Sequence, residues 1–108
     1  MEIVPTPNFE REFKQLRKKY PSLSADLLQL TESLQENPEL GVSLGQGCFK
    51  IRLAIRSKGR GKSGGARVIT YVQIVADTIF LLSIYNKSDK ADLQANELDD
   101  LLGQVPEE

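Results

Sequence analysis

The sequence predicts an α+β fold in which an N-terminal helical hairpin packs on a small antiparallel β-sheet and a C-terminal helix follows. Three observations support this. Apolar residues recur every three or four positions in the first third of the chain, alternate in the middle, and return to the helical repeat near the end. Helices on one face of an antiparallel sheet form two layers. Because 108 residues suit one small core, residues 1–108 are predicted to form a single domain.

The first part of the chain predicts a short strand and two helices. Met1–Val4 is apolar, and the two prolines that follow it favour a turn. Asn8 is predicted to cap the first helix and Pro21 to end it, while the Asn-Pro pair at 37–38 ends the second. The two helices share matched apolar stripes, which we assign to the core: Phe9, Phe13, Leu16 and Tyr20 in the first, and Leu23, Leu27, Leu30 and Leu34 in the second.

The middle of the chain predicts three strands. They span Phe49–Arg56, Arg67–Val75 and Thr78–Tyr85, with a tight turn at Ala76-Asp77 between the last two. Successive side chains of a strand point to opposite faces of the sheet. The side chains predicted to face the helices are Phe49, Ile51, Leu53, Ile55, Val68, Val72, Ile74, Phe80, Leu82 and Ile84. Those predicted to lie on the open face are Lys50, Arg52, Ala54, Arg56, Arg67, Ile69, Tyr71, Gln73, Ser83 and Tyr85.

The C-terminal segment predicts an acidic helix. Its apolar stripe comprises Ala91, Ala95, Leu98, Leu102 and Val105. From Ser88 to the end of the chain there are 7 acidic residues and 1 basic residue. Two interpretations remain open, because this helix could shield a basic surface of the free protein or simply keep the chain soluble.

The basic residues are concentrated in the middle of the chain, although the net charge is only −1. Between Gly41 and Ala76 there is no acidic residue, and the seven cations are Lys50, Arg52, Arg56, Lys58, Arg60, Lys62 and Arg67. Such a stretch is a candidate surface for a polyanion such as RNA or DNA, and the alternative is a solvated basic loop. The glycine-rich segment Ser57–Ala66 is either an RNA-contacting hairpin loop or a disordered linker.

Composition excludes several classes of site. With no histidine and one cysteine, the chain has no zinc site with the usual Cys/His ligands, no serine-histidine triad and no internal disulfide. We expect no metal and no cofactor. No apolar run approaches the ~18 residues of a membrane span, and the N-terminus lacks the features of a secretion signal. A cytoplasmic protein without membrane contact is therefore expected.

Four segments carry a resemblance to a known family: ENPELG at 36–41, GCFKIR at 47–52, GKSGGARVITY at 61–71 and IFLLSIYNKSDKADL at 79–93. In this order and spacing they resemble the RelE/ParE superfamily of toxins from bacterial toxin–antitoxin pairs, most closely its RelE/HigB-like branch. The resemblance implies a small α+β toxin that enters the ribosomal A site and cuts mRNA there. It also implies a cognate antitoxin as partner.

The resemblance further implies a catalytic cluster of lysines and arginines on the open face of the sheet, joined by a tyrosine. The matching positions here are Lys50, Arg52, Arg67, Tyr85 and Lys87. Cleavage through the RNA 2′-hydroxyl needs a base, a stabiliser of the phosphorane and an acid, and no metal. We expect Arg67 to bind the phosphate, Lys50 or Lys87 to act as base because crowded cations lower a lysine pKa, and Arg52 to add positive charge. Further RNA contacts are expected from Arg56, Lys58, Arg60 and Lys62.

Two other functions remain open from the sequence. A ParE-like module of the same fold would poison a protein target such as DNA gyrase without any enzymatic activity. An inactive relative would bind nucleic acid only. The cations at Lys50, Arg52, Arg67 and Lys87 favour the nuclease, because a protein-binding poison does not need a converging cationic cluster.

Overall fold

A five-stranded sheet forms the centre of the computed structural model, which describes residues 1–59, 61 and 64–106. Its strand order is β1-β5-β4-β3-β2, with β1 parallel to β5 and the other neighbours antiparallel. The α+β prediction is confirmed. The strands are β1 (Glu2–Pro5), β2 (Val42–Gly45), β3 (Cys48–Leu53), β4 (Ala66–Gln73) and β5 (Thr78–Asn86); the helices are α1 (Pro7–Lys19), α2 (Leu23–Glu36) and α3 (Glu97–Leu102).

The start of α1 shows how a local hydrogen bond determines a helix end. Thr6 has an extended backbone, and its side-chain oxygen accepts a hydrogen bond from the Phe9 main-chain nitrogen at 3.3 Å. Pro7 occupies the first helical turn, where its missing N–H costs no helical hydrogen bond. The predicted cap at Asn8 is therefore wrong, because the helix has already begun there. The Asn8 side chain donates instead to Glu12 Oε1 at 2.8 Å.

Helices α1 and α2 cover one face of the sheet, and the main core lies between these helices and the sheet. This confirms the predicted helical hairpin and the inward direction of Val68, Val72 and Ile84. The fully or almost fully buried members of this core are Phe9, Leu23, Leu30, Leu34, Ile51, Leu53, Ile55, Ala66, Val68, Ile79, Leu81 and Ile84. Burial of so many apolar side chains is the dominant stabilising term of a domain of this size.

A bulge in β5 changes which face its side chains occupy. The register with β4 shifts so that Ile69 lies opposite Ser83 while Thr70 lies opposite Leu81, which leaves Leu82 as the extra residue. The predicted inward direction of Phe80 and Leu82 is wrong, because both join a second cluster on the opposite face. The predicted outward direction of Ser83 is also wrong, because its hydroxyl donates to Glu12 of α1 at 2.7 Å.

Several element boundaries differ from the prediction. The edge strand β2 was not predicted, and β3 ends at Leu53 because Arg56–Lys58 forms a 3₁₀ turn. β4 ends at Gln73, and Ile74 is 79 % exposed in the following turn rather than turned towards the helices. The last helix begins only at Glu97, so its predicted first turns are not helical. No helix in the described part of the chain combines the length and apolar character needed to cross a membrane.

Candidate functional site

Three of the predicted site residues form one row across the sheet. Arg52 of β3 lies directly opposite Arg67 of β4, and Arg67 lies directly opposite Tyr85 of β5. Residues directly opposite each other point to the same face, with Cβ atoms about 5 Å apart. Lys50 lies one step further along β3, opposite Ile69, and points to that same face. The strand register therefore converges two guanidinium groups, one ammonium group and one phenol on the face opposite the helices.

This face is not open, which corrects the expectation of an exposed sheet surface. Residues 88–106, here named the cover, lie across it and include α3. The second apolar cluster joins the sheet face to the cover: Cys48, Ile69, Phe80, Leu82, Tyr85 and Leu101 are buried, with Val4, Leu44, Tyr71, Leu93, Leu98, Leu102 and Val105 packed around them. As a result only 4 % of Arg67 and 6 % of Tyr85 is exposed.

The cover places one carboxylate against a cationic residue of the sheet. Lys50 Nζ lies 3.3 Å from both carboxylate oxygens of Asp92. Lys90 Nζ lies 5.3 Å from the centre of the Tyr85 ring and forms an ion pair with Glu97. A hydrogen bond from the Leu93 main-chain N–H and the ion pair with Lys50 lower the pKa of Asp92 below its ordinary value. The acidic C-terminal segment thus shields the cluster, one of the two interpretations that the sequence left open.

Tyr85 has an unusual environment for a buried phenol. Within the described residues its hydroxyl has no hydrogen-bond partner, although buried tyrosine hydroxyls are usually paired. Burial, assisted by the nearby Asp92 carboxylate, raises the pKa of Tyr85 to about 12, while Arg67 acts in the opposite direction. Tyr85 therefore keeps its proton at neutral pH and offers a hydrogen-bond donor beside Arg67.

The other cations of the predicted catalytic cluster differ in exposure. The Arg67 Nη1 atom donates to the carbonyl of Ala66 at 3.1 Å. Arg52 is exposed on the row, and Lys87 is exposed just after β5. The main-chain N–H of Lys87 donates to the carbonyl of Gly65 at 3.2 Å, which holds the start of this segment beside the end of the glycine-rich loop.

Two of the predicted RNA-contacting cations are held by contacts within the protein. The Arg56 Nε donates to the buried Asp26 carboxylate at 2.9 Å, and the Arg56 main-chain N–H donates to the same carboxylate at 3.2 Å. Lys58 Nζ donates to Asn86 Oδ1 at 2.6 Å and to Ser88 Oγ at 2.9 Å. These bonds fix the entry of the glycine-rich loop. The other two expected contacts, Arg60 and Lys62, lie outside the described residues.

Sequence reasoning missed the acidic and amide partners of this site. Asp26 looks like an ordinary acidic residue in the first turn of α2, yet it is only 2 % exposed and ties that helix to the loop. Asn86 is buried between Lys58 and the Tyr20 hydroxyl, and no sequence pattern marks it. The contact of Asp92 could have been predicted from charge, because Asp92 belongs to an acidic segment that follows a basic segment without acidic residues.

Comparison with known proteins identifies the family. The family model described as the RelE toxin of the RelE/RelB toxin–antitoxin system matches residues 2–104. The fold is similar to that of an arginine-to-alanine double mutant of the E. coli toxin RelE in the free state, with a TM-score of 0.60 and 13% identity over 95% of this chain and 90% of that one. The isolated E. coli RelE toxin matches with a TM-score of 0.55 and 14% identity over 96% and 98%. The chain therefore belongs to the RelE family of toxins, whose members pair with a cognate antitoxin.

Proposed function

We propose that this toxin is a ribosome-dependent mRNA endoribonuclease that cuts RNA through its 2′-hydroxyl without a metal ion. The observation that carries the proposal is the row of Arg52, Arg67 and Tyr85, with Lys50 beside it. Positive charge and a protonated phenol on one rigid sheet suit a phosphate that gains negative charge during cleavage. The row lies on paired strands of the sheet, which hold side chains more precisely than loops do.

Each step of the reaction has a candidate residue in or next to the row. The 2′-oxygen loses its proton to Lys50 or Lys87 and bonds to phosphorus, and the 5′-oxygen leaves with a proton. Arg67, supported by Arg52, stabilises the phosphorane through its planar fork of N–H groups. Tyr85 donates the proton to the leaving 5′-oxygen, a role that its unpartnered hydroxyl and its position opposite Arg67 support. The products are a 2′,3′-cyclic phosphate and a 5′-hydroxyl.

The closed state of the site supports a requirement for the ribosome. An RNA phosphate cannot reach Arg67 or Tyr85 while the cover lies over them, because each is at least nine-tenths buried. The cover includes one short helix, and it is held to the sheet by the second apolar cluster and by the ion pair between Lys50 and Asp92, whose carboxylate is 61% exposed. The polyanionic surface of the ribosomal A site would compete for these cations and displace the cover, so free RNA would be cut slowly. The proposal therefore includes the ribosome and mRNA as partners and the cytoplasm as the location.

Primer-extension mapping of a defined mRNA on translating ribosomes tests the proposal. Purified toxin should produce cuts at A-site codons and leave the same mRNA intact without ribosomes. Arg67→Ala should lower the rate by at least about a hundredfold, because it removes the main phosphate ligand. Arg17→Ala is the matched control, since it removes an arginine from the exposed side of α1 on the other side of the sheet and should cut at the wild-type rate.

Two results would overturn the proposal. An intact mRNA, with toxin shown to be folded and free of antitoxin, would favour gyrase poisoning or binding of nucleic acid without cleavage. If the wild type and Arg67→Ala cut mRNA equally fast, the row of Arg52, Arg67 and Tyr85 is not the catalytic site, even though the toxin is a nuclease. A single 2′-deoxy nucleotide at the cut position separates the chemistry from binding, because it should abolish cleavage at that codon alone.

A further inference from the structure

A buried asparagine separates two residues of the candidate site at the end of β5. Asn86 is 2% exposed and lies between Tyr85 and Lys87. Because successive side chains of a strand point to opposite faces, the Asn86 side chain lies on the helical side of the sheet, away from the row. There its Nδ2 atom donates to the Tyr20 hydroxyl at 2.9 Å. Asn86 is therefore out of reach of an RNA bound at the row, although both of its neighbours in sequence belong to the candidate site.

The side-chain oxygen of Asn86 has both of its acceptor positions occupied. Lys58 Nζ donates to Asn86 Oδ1 at 2.6 Å, and the main-chain N–H of Ser88 donates to the same atom at 3.3 Å. The Lys58 ammonium group also donates to Ser88 Oγ at 2.9 Å. A charged donor makes such bonds stronger than those between neutral groups. One lysine thus ties the end of β5 to the start of the cover.

The main-chain carbonyl of Asn86 closes a tight turn. It accepts hydrogen bonds from the main-chain N–H groups of Asp89 at 3.0 Å and of Lys90 at 3.1 Å. Residues 86–90 are therefore held as one hydrogen-bonded unit. Asp92, two residues further on, is held by an exposed ion pair instead. Opening of the cover would bend the chain beyond Lys90, where the unit ends.

We propose that Asn86 and Lys58 are positioning residues that form a fixed pivot, which keeps Tyr85 and Lys87 in place while the cover opens beyond Lys90. The inference rests on the proposed function, because it takes the row as the site of RNA cleavage. Displacement of a reacting group by 1 Å can lower a rate by about a hundredfold. Without the pivot, an opening cover would pull directly on Lys87.

The pivot gives Lys58 a role other than the expected contact with RNA. Two of the three donors of its ammonium group are used within the protein. The group also lies 5.7 Å from the centre of the Tyr20 ring, and the side chain is half-buried. A phosphate that paired with Lys58 would have to break both hydrogen bonds and would release the segment that carries Lys87.

Amide hydrogen exchange of the free toxin tests whether the pivot holds this segment, and it does not depend on cleavage. In Lys58→Met the amides of Asp89 and Lys90 should exchange at least about fivefold faster than in the wild type, because the turn loses its anchor. The amide of Leu34 in α2 should exchange at the wild-type rate. That pattern would show a local release rather than a weaker domain.

Lys19→Met is the matched control. Lys19 Nζ lies 5.6 Å from the centre of the same Tyr20 ring and carries the same charge. Among the residues that the structure describes, however, it forms no hydrogen bond with Asn86 or Ser88. The exchange of the turn and the cleavage of mRNA should both be unchanged in this variant.

Single-turnover cleavage on translating ribosomes, measured over a range of toxin concentrations, tests the effect on catalysis. Lys58→Met should lower the maximal rate at least about tenfold, because Tyr85 and Lys87 lose their fixed positions. The toxin concentration that gives half of the maximal rate should change by less than about twofold, since no RNA contact is lost. A lysine that binds RNA would show the opposite pattern.

A double-mutant cycle shows whether the two residues act through their shared hydrogen bond. Leucine has nearly the shape of asparagine, but Asn86→Leu cannot accept from Lys58. The double variant should lose no more rate than the slower of the two single variants, because both changes remove one interaction. Rate losses that multiply would assign the two side chains to separate roles. Unfolding temperatures show whether Asn86→Leu folds, and the tests of Lys58→Met stand without it.

The proposal is overturned if Lys58→Met leaves the exchange of Asp89 and Lys90 unchanged, or if it weakens binding to the ribosome at an unchanged maximal rate. It is also overturned if Lys19→Met produces the same losses, because charge beside Tyr20 would then explain them. A toxin that cuts mRNA but shows no faster exchange in Lys58→Met refutes only this inference. Faster exchange in that variant, together with a wild type that never cuts mRNA, refutes only the nuclease.

Discussion

The two faces of the sheet are both covered, but in different ways. On one face, helices of 13 and 14 residues enclose a continuous apolar core. On the other, a helix of 6 residues and a non-helical segment cover a smaller apolar cluster together with Arg67 and Tyr85. Such a short helix contributes little stability of its own, since helices below about 12 residues are marginal in water.

The difference assigns stability to one face of the sheet and access to the candidate site to the other. The helical layer supplies most of the stability, because the core beneath it contains residues of α1, α2 and four of the five strands. The cover holds cations and acids in proximity, and exposed ion pairs of this kind contribute at most about 1 kcal/mol each. We infer that the cover opens while the helical layer remains folded.

The largest expected effect distinguishes the two layers directly. Leu34→Ala should lower the free energy of unfolding by about 2–5 kcal/mol, because Leu34 is fully buried in the helix-side core and leaves a cavity. Leu101→Ala, the matched change in the cover, should cost less than half as much in denaturant unfolding. Equal losses would show that the cover belongs to the same cooperative unit.

A smaller effect should come from the buried carboxylate in the helical layer. Asp26→Asn should destabilise the protein by about 1–3 kcal/mol, because the Asp26 carboxylate accepts hydrogen bonds from Ser22 and from two groups of Arg56. Asp77→Asn is the control, since this exposed turn residue has a φ of 51° that asparagine tolerates. Thermal unfolding of both variants measures the difference, and a neutral Asp26→Asn would disprove the role of this contact in holding the loop.

A smaller effect still is expected from the ion pair on the cover. Asp92→Asn should increase amide hydrogen exchange in α3 by at most about fivefold and leave α2 unchanged, because the Asp92 side chain is 61% exposed. The increase should vanish at high salt, which weakens the wild-type ion pair. If α2 also exchanges faster, Asp92 stabilises the whole domain rather than the cover.

The smallest effect concerns the titration of Tyr85. Its pKa rises from 10.0 to about 12 on folding, so its contribution to stability is fully present below pH 10 and is lost as the pH rises towards 12. In an absorbance titration, Tyr85→Phe should remove the step at the highest pH. Asp92→Asn should move that step to lower pH, since the carboxylate helps to raise the pKa. An unchanged step in Asp92→Asn would place the carboxylate out of reach of the phenol.

Apolar periodicity predicted much of this fold, and the limits of the prediction have physical causes. The stripes of α1 and α2 and the alternation in β3 were sufficient, because each reflects one buried face. The bulge at Leu82 could not be predicted, since both faces of β5 are buried and the run Ile79–Leu82 is apolar without interruption. Without that alternation, a shift of one residue leaves no trace in the pattern.

The sequence predicted which residues form the candidate site, but it did not predict that two of them are buried. The resemblance to the RelE family indicated Arg67 and Tyr85, and the register places them side by side. Their burial depends on how residues 88–106 fold back over the sheet, which is a long-range contact that charge patterning only suggests. Asp26 and Asn86 were missed because their contacts join segments that are far apart in sequence.

Native-state hydrogen exchange across a denaturant series compares the opening of the two layers in the free protein. The amides of α3 should exchange through a local opening at least about 2 kcal/mol below global unfolding, while those of Leu30 and Leu34 exchange only through global unfolding. That result would make Arg67 accessible in a protein whose helical layer is intact. Equal opening free energies for α3 and α2 would contradict it, and Arg67 would then be unreachable for RNA in the folded toxin.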